Sequence, residues 1–310
     1  MSVEELKHEE WRGNTGGTTW MHFMLIRLFK VLNLRLIYGF MAVFVVPFYM
    51  LFAHRGYISM YHFFRQRLHQ SPLRSFLSVY VNHYRFGQII LDRFAAYAGR
   101  QFQFEIDGND LFLDLCNRPE GFLLLSCHVG NYELAGYAFE ATAKRFNALV
   151  FSGEAAIVME QRNRLLTRNN IRMIPVSEDM SHIFLMNDAL ASGEIVSIPG
   201  DRIFGSPRSV ECPFFGSMAH FPLGPYAMAA QRDLPTLAIF VMKDSAYKYE
   251  VYVRPISLDD NPPKRRNEKA TMLARKMAAE IERVVTKYPT QWFNYYEFWE
   301  NNGNTTTGRD

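Results

Sequence analysis

The sequence predicts an α/β fold, in which a mainly parallel central sheet is flanked by helices and preceded by a hydrophobic N-terminal helix. Strand-like and helix-like segments alternate from residue 101 to residue 286, as they do where helices connect parallel strands. The apolar run from Phe122 to Leu125 follows a glycine and precedes small or polar residues, which is typical of a buried strand. A chain of 310 residues with 48 % hydrophobic residues is long enough for one such domain and an appendage.

The predicted hydrophobic helix runs from Leu36 to Ala53, eighteen residues without a charge, between Arg35 and His54-Arg55. At about 1.5 Å per residue it is roughly 27 Å long, close to the thickness of a hydrocarbon core. Pro47 would kink it, which a membrane helix tolerates. The segment starts late for a signal peptide and no small-residue cleavage site follows it. We therefore predict a membrane anchor, with a buried helix of the globular domain as the alternative.

Further elements follow in order. Residues 57–99 are predicted to be helical, and 101–106 and 111–115 to form a hairpin around a polar turn. The remaining predictions are strand 122–127, helix 131–144, strand 148–152, helix 156–169, strand 172–176, helix 180–191, strand 194–198, helix 224–231, strands 235–242 and 248–255, and helix 267–286. Short connections favour three regions: a tail and anchor over 1–55, one domain over 56–300, and a tail over 301–310. Residues 1–19 and 301–310 are predicted to be loosely ordered ends.

The net charge of +3 is small but unevenly distributed. Between His54 and Arg100 a single acid, Asp92, accompanies seven arginines, at positions 55, 65, 67, 74, 85, 93 and 100. A basic band beside an anchor is attracted to an anionic membrane surface or to an acidic partner, although a solvated helix face has the same composition. No nucleic-acid-binding motif accompanies the band, so nucleic acid is not a predicted partner.

The strand at 122–127 leads into a candidate catalytic pair. His128 follows the strand, Gly130 and Asn131 form a turn, and Glu133 opens the next helix, with Asn131 as its N-cap. A glutamate facing the imidazole would fix its tautomer and leave the other ring nitrogen as a general base. The alternative is a packed histidine followed by an ordinary helix-start glutamate, because a His-x4-Glu match is short.

Two neighbouring residues are weaker candidates for a nucleophile. In a strand, adjacent side chains point to opposite faces, so the Cys127 thiol is predicted to turn away from His128 and pack in the core. Ser126 shares the face of His128, but no Gly-x-Ser-x-Gly elbow surrounds it. Neither the histidines nor the three cysteines have metal or disulfide spacing, so we predict no metal and a reducing compartment.

The segment from Gly121 to Gly136 resembles the His-x4-Asp/Glu motif of membrane-associated acyltransferases, and in particular the bacterial lipid A late acyltransferases. The apolar strand, the glycine and asparagine inside the motif, and Glu-Leu-Ala-Gly after it are all present. The resemblance covers roughly residues 20–300 and includes Ile174-Pro175-Val176, Ile198-Pro199-Gly200-Asp201-Arg202, Pro213-Phe214-Phe215-Gly216, Gly224-Pro225 and Gln291-Trp292.

The resemblance implies a lipid A acyltransferase-like fold and an enzyme in the bacterial inner membrane with its catalytic domain in the cytoplasm. Its acyl donor would be a thioester of acyl carrier protein or coenzyme A, its acceptor a membrane lipid, and no other cofactor is expected. His128 would act as the base and Glu133 would orient it, with direct transfer and no acyl-enzyme. Backbone amides around Gly130 and an arginine, best matched by Arg164 with Arg162 and Arg168 as competitors, would stabilise the oxyanion.

Two departures from the family pattern concern the acceptor. The family has aspartate followed by glutamine where this chain has Asp201-Arg202, at a predicted strand end where α/β enzymes place site residues. Arg202 is predicted either to grip an anionic headgroup or to pair with Asp201 structurally. The family's basic C-terminal pattern is replaced by aromatic residues from Trp292 to Trp299, which either cover the domain or lie at the membrane surface.

These departures leave the acceptor open. The predicted substrate-binding residues are Gly130, Asn131, Arg164, Asp201 and Arg202. A non-catalytic lipid-binding protein of the same fold and a thioesterase are the alternative functions. The intact pair of His128 and Glu133 favours an acyltransferase, since a binding protein needs no base.

Overall fold

The computed structural model describes residues 24, 27–52, 54–139, 144–150, 170–177, 179–203 and 208–299. Several predictions lie outside these residues: both chain ends, the helix at 156–169, and the three arginines 162, 164 and 168.

A seven-stranded sheet forms the centre of the domain, in the order β1-β9-β8-β2-β5-β3-β4. All neighbours are parallel except β8 and β9, which are antiparallel. A hairpin of β6 and β7 stands apart. The strands are β1 Gln103–Asp107, β2 Phe122–Ser126, β3 Phe146–Val150, β4 Ile171–Pro175, β5 Ile195–Pro199, β6 Ser209–Phe214, β7 Ser217–Pro222, β8 Thr236–Lys243 and β9 Lys248–Pro255. The predicted α/β fold with a mainly parallel sheet is confirmed.

Helices cover both faces of the sheet. Those used below are α1 Leu34–Phe52, α2 His54–His62, α3 Pro72–Tyr97, α4 Asn109–Asn117, α5 Ala135–Ala138, α6 Ser181–Ala191, α7 Gly224–Arg232 and α8 Arg266–Lys287. Alternate residues of β2 enter two different cores: Leu123 and Leu125 pack with buried residues of α8, whereas Phe122 and Leu124 pack with α4. β2 is therefore buried along its whole length, as its apolar run predicts.

The hairpin predicted over 101–115 is wrong. Its second half is α4, where Phe112 and Leu115 are buried and Leu111 and Leu113 are exposed. Burial three residues apart marks the apolar face of a helix, whereas a strand would bury every second residue. β1 pairs instead with β9, far along the chain.

Two further local differences have recognisable causes. The β6–β7 hairpin was not predicted, although Phe215 and Gly216, both at positive φ, form its turn. The helix predicted over 131–144 is shorter in the described residues: a 3₁₀ turn at Tyr132–Leu134 precedes α5.

Helix α1 packs one face on α3 and leaves the other uncovered. Tyr38, Met41 and Val46 are buried in a cluster with Phe94 and residues near it. The opposite face exposes large apolar side chains, including Leu36, Phe40, Val43, Phe44, Phe48 and Phe52. A π-helical turn at Met41–Val45 comes just before Pro47, where the missing N–H and the ring disturb the regular α-helical pattern. Within the described chain, α1 is long and apolar enough to cross a membrane, with mean hydropathy 1.9 and 28 % of it buried.

Candidate active site

The strand register brings His128 and Asp201 together. β2 and β5 are parallel neighbours in which Ser126 is opposite Pro199, and each candidate residue lies two positions beyond its strand. The Asp201 carboxylate accepts a hydrogen bond from the backbone N–H of His128 at 2.8 Å. Its oxygens lie 3.0 and 3.1 Å from Nδ1 of the same histidine. The pair therefore stands at the carboxyl end of the sheet, where α/β folds bind ligands.

The surroundings keep the imidazole neutral and the carboxylate charged. Burial, together with the nearby Arg202 charge, lowers the pKa of His128, although Asp201 opposes that shift. Burial alone would raise the pKa of Asp201, but the charge and hydrogen bonds of His128 and the charge of Arg202 outweigh it and lower that pKa. A neutral imidazole with Nδ1–H held by a carboxylate has Nε2 as its basic nitrogen. The His128 side chain is 20 % exposed, so it is within reach of a substrate.

Glu133 does not occupy the position predicted for it. Its Oε1 accepts a hydrogen bond from Arg93 Nη1 at 2.8 Å, while Nδ1 of His128 is bonded to Asp201. The expected hydrogen bond between Glu133 and His128 is corrected accordingly: Asp201, seventy-three residues beyond the histidine, orients the ring. The charge of Glu133 also raises the pKa of His128, but less than the charge and hydrogen bond of Asp201 do.

The backbone amides of Gly130 and Asn131 are bonded within the protein. Gly130 N–H donates to the carbonyl of Gln291 at 2.8 Å, and Asn131 N–H donates to that of Val241 at 2.7 Å. Gly130 adopts φ +66°, and a Cβ there would lie 2.2 Å from the Val241 oxygen, so the turn requires glycine. The N–H groups of Gly130 and Asn131 are thus engaged within the protein, so these two do not have the free donors that the expected oxyanion site requires.

Asn131 is also buried rather than open to a substrate. Its side chain is 1 % exposed, and its Nδ2 donates to the hydroxyl of Tyr249 at 3.0 Å. Its predicted side-chain cap on the following helix is not formed. Gly130 and Asn131 thus shape the turn between His128 and Glu133 and do not face a ligand.

Arg202 ties the site to the C-terminal segment. Its guanidinium donates to the carbonyl of Phe293 and lies 5.6 Å from the centre of the Tyr296 ring. That segment runs beside the motif, because Val129 pairs with Trp292 and Phe293 N–H donates to the His128 carbonyl. The C-terminal aromatic residues Trp292, Phe293 and Phe298 are buried, so at these positions they cover the domain.

A cleft lies next to these groups, lined by residues of β2, β3, β4 and β5. Its volume is about 670 Å³, counting the space that opens to solvent. Ser126, Tyr132, Glu133 and Arg93 line one part, and apolar residues such as Leu149 line another. The Tyr132 ring stands edge-on to His128, with 5.3 Å between ring centres. The cleft therefore joins charged groups to an apolar wall.

The sequence does not predict the contacts of Arg93 and Asp201, for different reasons. Arg93 stood in the arginine band, where nothing distinguished it from its neighbours. Asp201 is predicted as a substrate-binding residue or as a structural partner of Arg202, and its contact with His128 depends on the pairing of β2 with β5, which are far apart in the chain. Other arginines of the band also form intramolecular hydrogen bonds: Arg65 and Arg100 donate to backbone carbonyls, and Arg67 donates to the Ser217 hydroxyl.

Cys127→Ala is expected to keep near wild-type turnover. The thiol is buried in the core, and burial raises its pKa well above the ordinary value, so it stays protonated and unreactive. Steady-state kinetics on the purified variant check this, with Ser126→Ala measured beside it. Detection of an acyl group on either residue of the wild-type protein by mass spectrometry would contradict direct transfer.

Among the comparisons with known proteins, the match to a family model shows the family of this chain. No curated protein sequence matches the chain. Among solved structures, the crystal structure of the 1-acyl-sn-glycerophosphate (LPA) acyltransferase PlsC from Thermotoga maritima is similar at 13 % identity, with a TM-score of 0.37. That match covers 88 % of this chain and 98 % of the other. The family model for bacterial lipid A biosynthesis acyltransferases matches residues 89–300, more than half of the sequence. The chain is therefore an acyltransferase and belongs to the bacterial lipid A biosynthesis acyltransferase family.

Proposed function

We propose that this enzyme moves a fatty acyl chain from a thioester of acyl carrier protein or coenzyme A to a hydroxyl or amine of a lipid-like acceptor. The observation that carries the proposal is the hydrogen-bonded pair of His128 and Asp201, whose imidazole contacts Tyr132 in the wall of a partly apolar cleft. A neutral imidazole held through Nδ1 is suited to removing a proton from an alcohol or amine.

The proposed reaction needs no covalent intermediate on the protein. Nε2 of His128 takes the proton of the acceptor as its oxygen or nitrogen attacks the thioester carbonyl. The tetrahedral intermediate collapses by breaking the carbon–sulfur bond, and the departing thiolate receives the proton from the imidazolium. Asp201 stabilises that imidazolium while it exists. One ester or amide forms and one thiol leaves, so atoms and charges balance.

A cation is the best candidate for stabilising the oxyanion, because the amides of Gly130 and Asn131 are bonded elsewhere. Arg93 lines the cleft and is held by Glu133. Arg164, which the family resemblance implies, lies outside the described residues. Glu133 thus contributes by placing Arg93, a role different from the one its motif position predicts.

Arg202 is poorly placed to bind an acceptor headgroup, because its guanidinium already contacts the Phe293 carbonyl and the Tyr296 ring. Its proposed role is to hold the C-terminal segment against the motif. The acceptor headgroup would then be recognised elsewhere around the cleft.

We further propose that the enzyme works at the cytoplasmic face of the bacterial inner membrane, held there by the exposed face of α1. Full-length protein is then expected to need detergent for extraction and to resist high salt, because apolar burial is not screened by ions. Fractionation of membranes in low and high salt checks this.

A surface variant makes the extraction test specific. Phe44→Glu, on the face where Phe44 is 61 % exposed, should shift protein toward the salt-soluble fraction. Phe184→Glu on α6, where the ring is 76 % exposed, is the matched control and should leave extraction unchanged. Release of the wild-type protein by salt alone would contradict the proposed anchor.

The function itself is tested by lipid mass spectrometry on cells that carry the gene, lack it, or carry His128→Ala. A lipid that is one acyl chain heavier should appear only with the wild-type gene. Release of free fatty acid without an acylated lipid would instead indicate a thioesterase, and identical lipids in all three strains would contradict catalysis.

A further inference from the structure

A buried polar cluster lies between helix α1 and the sheet, outside the reacting groups. Its centre is the carboxylate of Asp92 on α3, which accepts hydrogen bonds from the hydroxyls of Tyr38 and Tyr249 and from the ammonium of Lys243. All four residues are buried, and the side chains of Asp92 and Lys243 are 0 % exposed. We call these four residues the Asp92 cluster. Three donors converge on one buried carboxylate, as a charge inside a protein requires.

The Asp92 cluster touches the turn between His128 and Glu133 by two routes. The Tyr249 hydroxyl, which donates to Asp92, also accepts from Asn131 Nδ2 at 3.0 Å. The backbone of Lys243 is bonded in both directions to the side chain of Gln291, at 2.9 Å each way. The carbonyl of Gln291 in turn accepts from Gly130 N–H. Asn131 is therefore hydrogen-bonded to a member of the Asp92 cluster, and Gly130 to a residue that is itself hydrogen-bonded to a member.

Tyr38 brings helix α1 into this arrangement. It is the member of the Asp92 cluster that α1 supplies, and its ring lies 5.1 Å from the Lys243 ammonium. Burial raises the pKa of Asp92 and lowers the pKa of Lys243, while their attraction opposes both shifts. The ion pair is thus costly to bury and depends on well-placed partners. Losing the Tyr38 hydroxyl would leave the carboxylate with one donor fewer.

We propose that Tyr38 is a positioning residue for acyl transfer, through which the seating of α1 controls the geometry of the turn that separates His128 from Glu133. The predicted effect on acyl transfer rests on the proposed function. The predicted coupling between α1 and the turn does not depend on that function. The enzyme is then fully ordered at its active site only while α1 is packed on α3.

The test compares two tyrosines that each hold α1 to α3. Tyr38→Phe removes a hydroxyl of the Asp92 cluster. Tyr80→Phe removes a hydroxyl that donates instead to the Ala42 carbonyl of α1, at 2.8 Å. Amide hydrogen exchange of full-length protein in detergent is followed at Gly130 and Asn131. Tyr38→Phe should speed exchange at these amides by about tenfold or more, the loss expected for a hydrogen bond to a charged group. Tyr80→Phe should leave them protected.

Kinetics supply the second measurement. Tyr38→Phe should lower kcat more than it changes KM for the acyl donor, because the turn next to His128 is displaced while the apolar wall of the cleft around Leu149 is not. Unchanged exchange at Gly130 and Asn131, or equal effects of Tyr38→Phe and Tyr80→Phe, would overturn the coupling. If the wild-type protein shows no acyl transfer, the proposed function fails, while the exchange result still decides the coupling.

A further variant covers the case in which Tyr38→Phe folds poorly. Tyr249→Phe cuts the Asp92 cluster from Asn131 and leaves Tyr38 in place. Faster exchange confined to the turn supports the proposal. A global loss of protection in both variants overturns it, because the cluster would then serve overall stability alone.

Discussion

His128→Ala is expected to lower kcat for acyl transfer by about 100- to 10,000-fold, because it removes the proposed general base. The fold should survive, since His128 contributes its backbone N–H and carbonyl to the site whatever its side chain is. Turnover of the purified variant with an acyl thioester and a lipid acceptor measures the loss. Cys127→Ala, one residue away, is the control. Near wild-type turnover by His128→Ala would show that the imidazole is not the base.

The imidazole of His128 also determines the expected pH dependence of kcat/KM. The neutral imidazole is the active form, so kcat/KM should fall as pH drops through the pKa of His128. Burial lowers that pKa below its ordinary value, and activity should therefore persist on the acid side of neutrality. A profile whose acid limb lies well above neutral pH would contradict the burial-lowered pKa.

Local sequence patterns predict the parts of the structure that depend on nearby residues. The strand at β2, the turn at Gly130 and the helices α6 and α8 are each encoded within a window of about twenty residues or fewer. The hairpin predicted over 101–106 and 111–115 is wrong because the apolar residues of Leu111–Leu115 fit both the two-residue period of a strand and the 3.6-residue period of a helix. Packing of Phe112 and Leu115 against the sheet selects the helix.

Partners in the site are less predictable, because they depend on which strands become neighbours. His128 and Glu133 are close in sequence, and that closeness suggested that they bond to one another. The register of β2 with β5 places Asp201 there instead, and the pairing of Arg93 with Glu133 depends on where α3 crosses the motif. Neither contact has a signal within the motif itself. The Asp92 cluster cannot be predicted from local sequence either, because its residues come from α1, α3, β8 and β9.

Exchanging each carboxylate for its amide distinguishes the two candidate partners of the histidine. Asp201→Asn is expected to lower kcat by up to about 10,000-fold, the loss that the equivalent change causes in a serine hydrolase triad. The asparagine can still accept from the His128 N–H through its oxygen, and its NH₂ group then faces Nδ1. Nδ1 must accept that hydrogen bond, so the proton moves to Nε2 and the base is lost. Steady-state kinetics measure the loss, and a thermal melt verifies the fold.

Glu133→Gln should lower kcat less than Asp201→Asn, because Glu133 bonds to Arg93 and its charge affects the pKa of His128 less than Asp201 does. The pH profiles should separate the two variants as well. Asp201 raises the pKa of His128 by its charge and its hydrogen bond, so residual activity of Asp201→Asn should show an acid limb shifted to lower pH. Glu133→Gln should move that limb in the same direction by a smaller amount. The reverse order of losses, with Glu133→Gln inactive and Asp201→Asn nearly wild-type, would show that Glu133 orients the base during turnover and that the hydrogen bond of Asp201 is only structural.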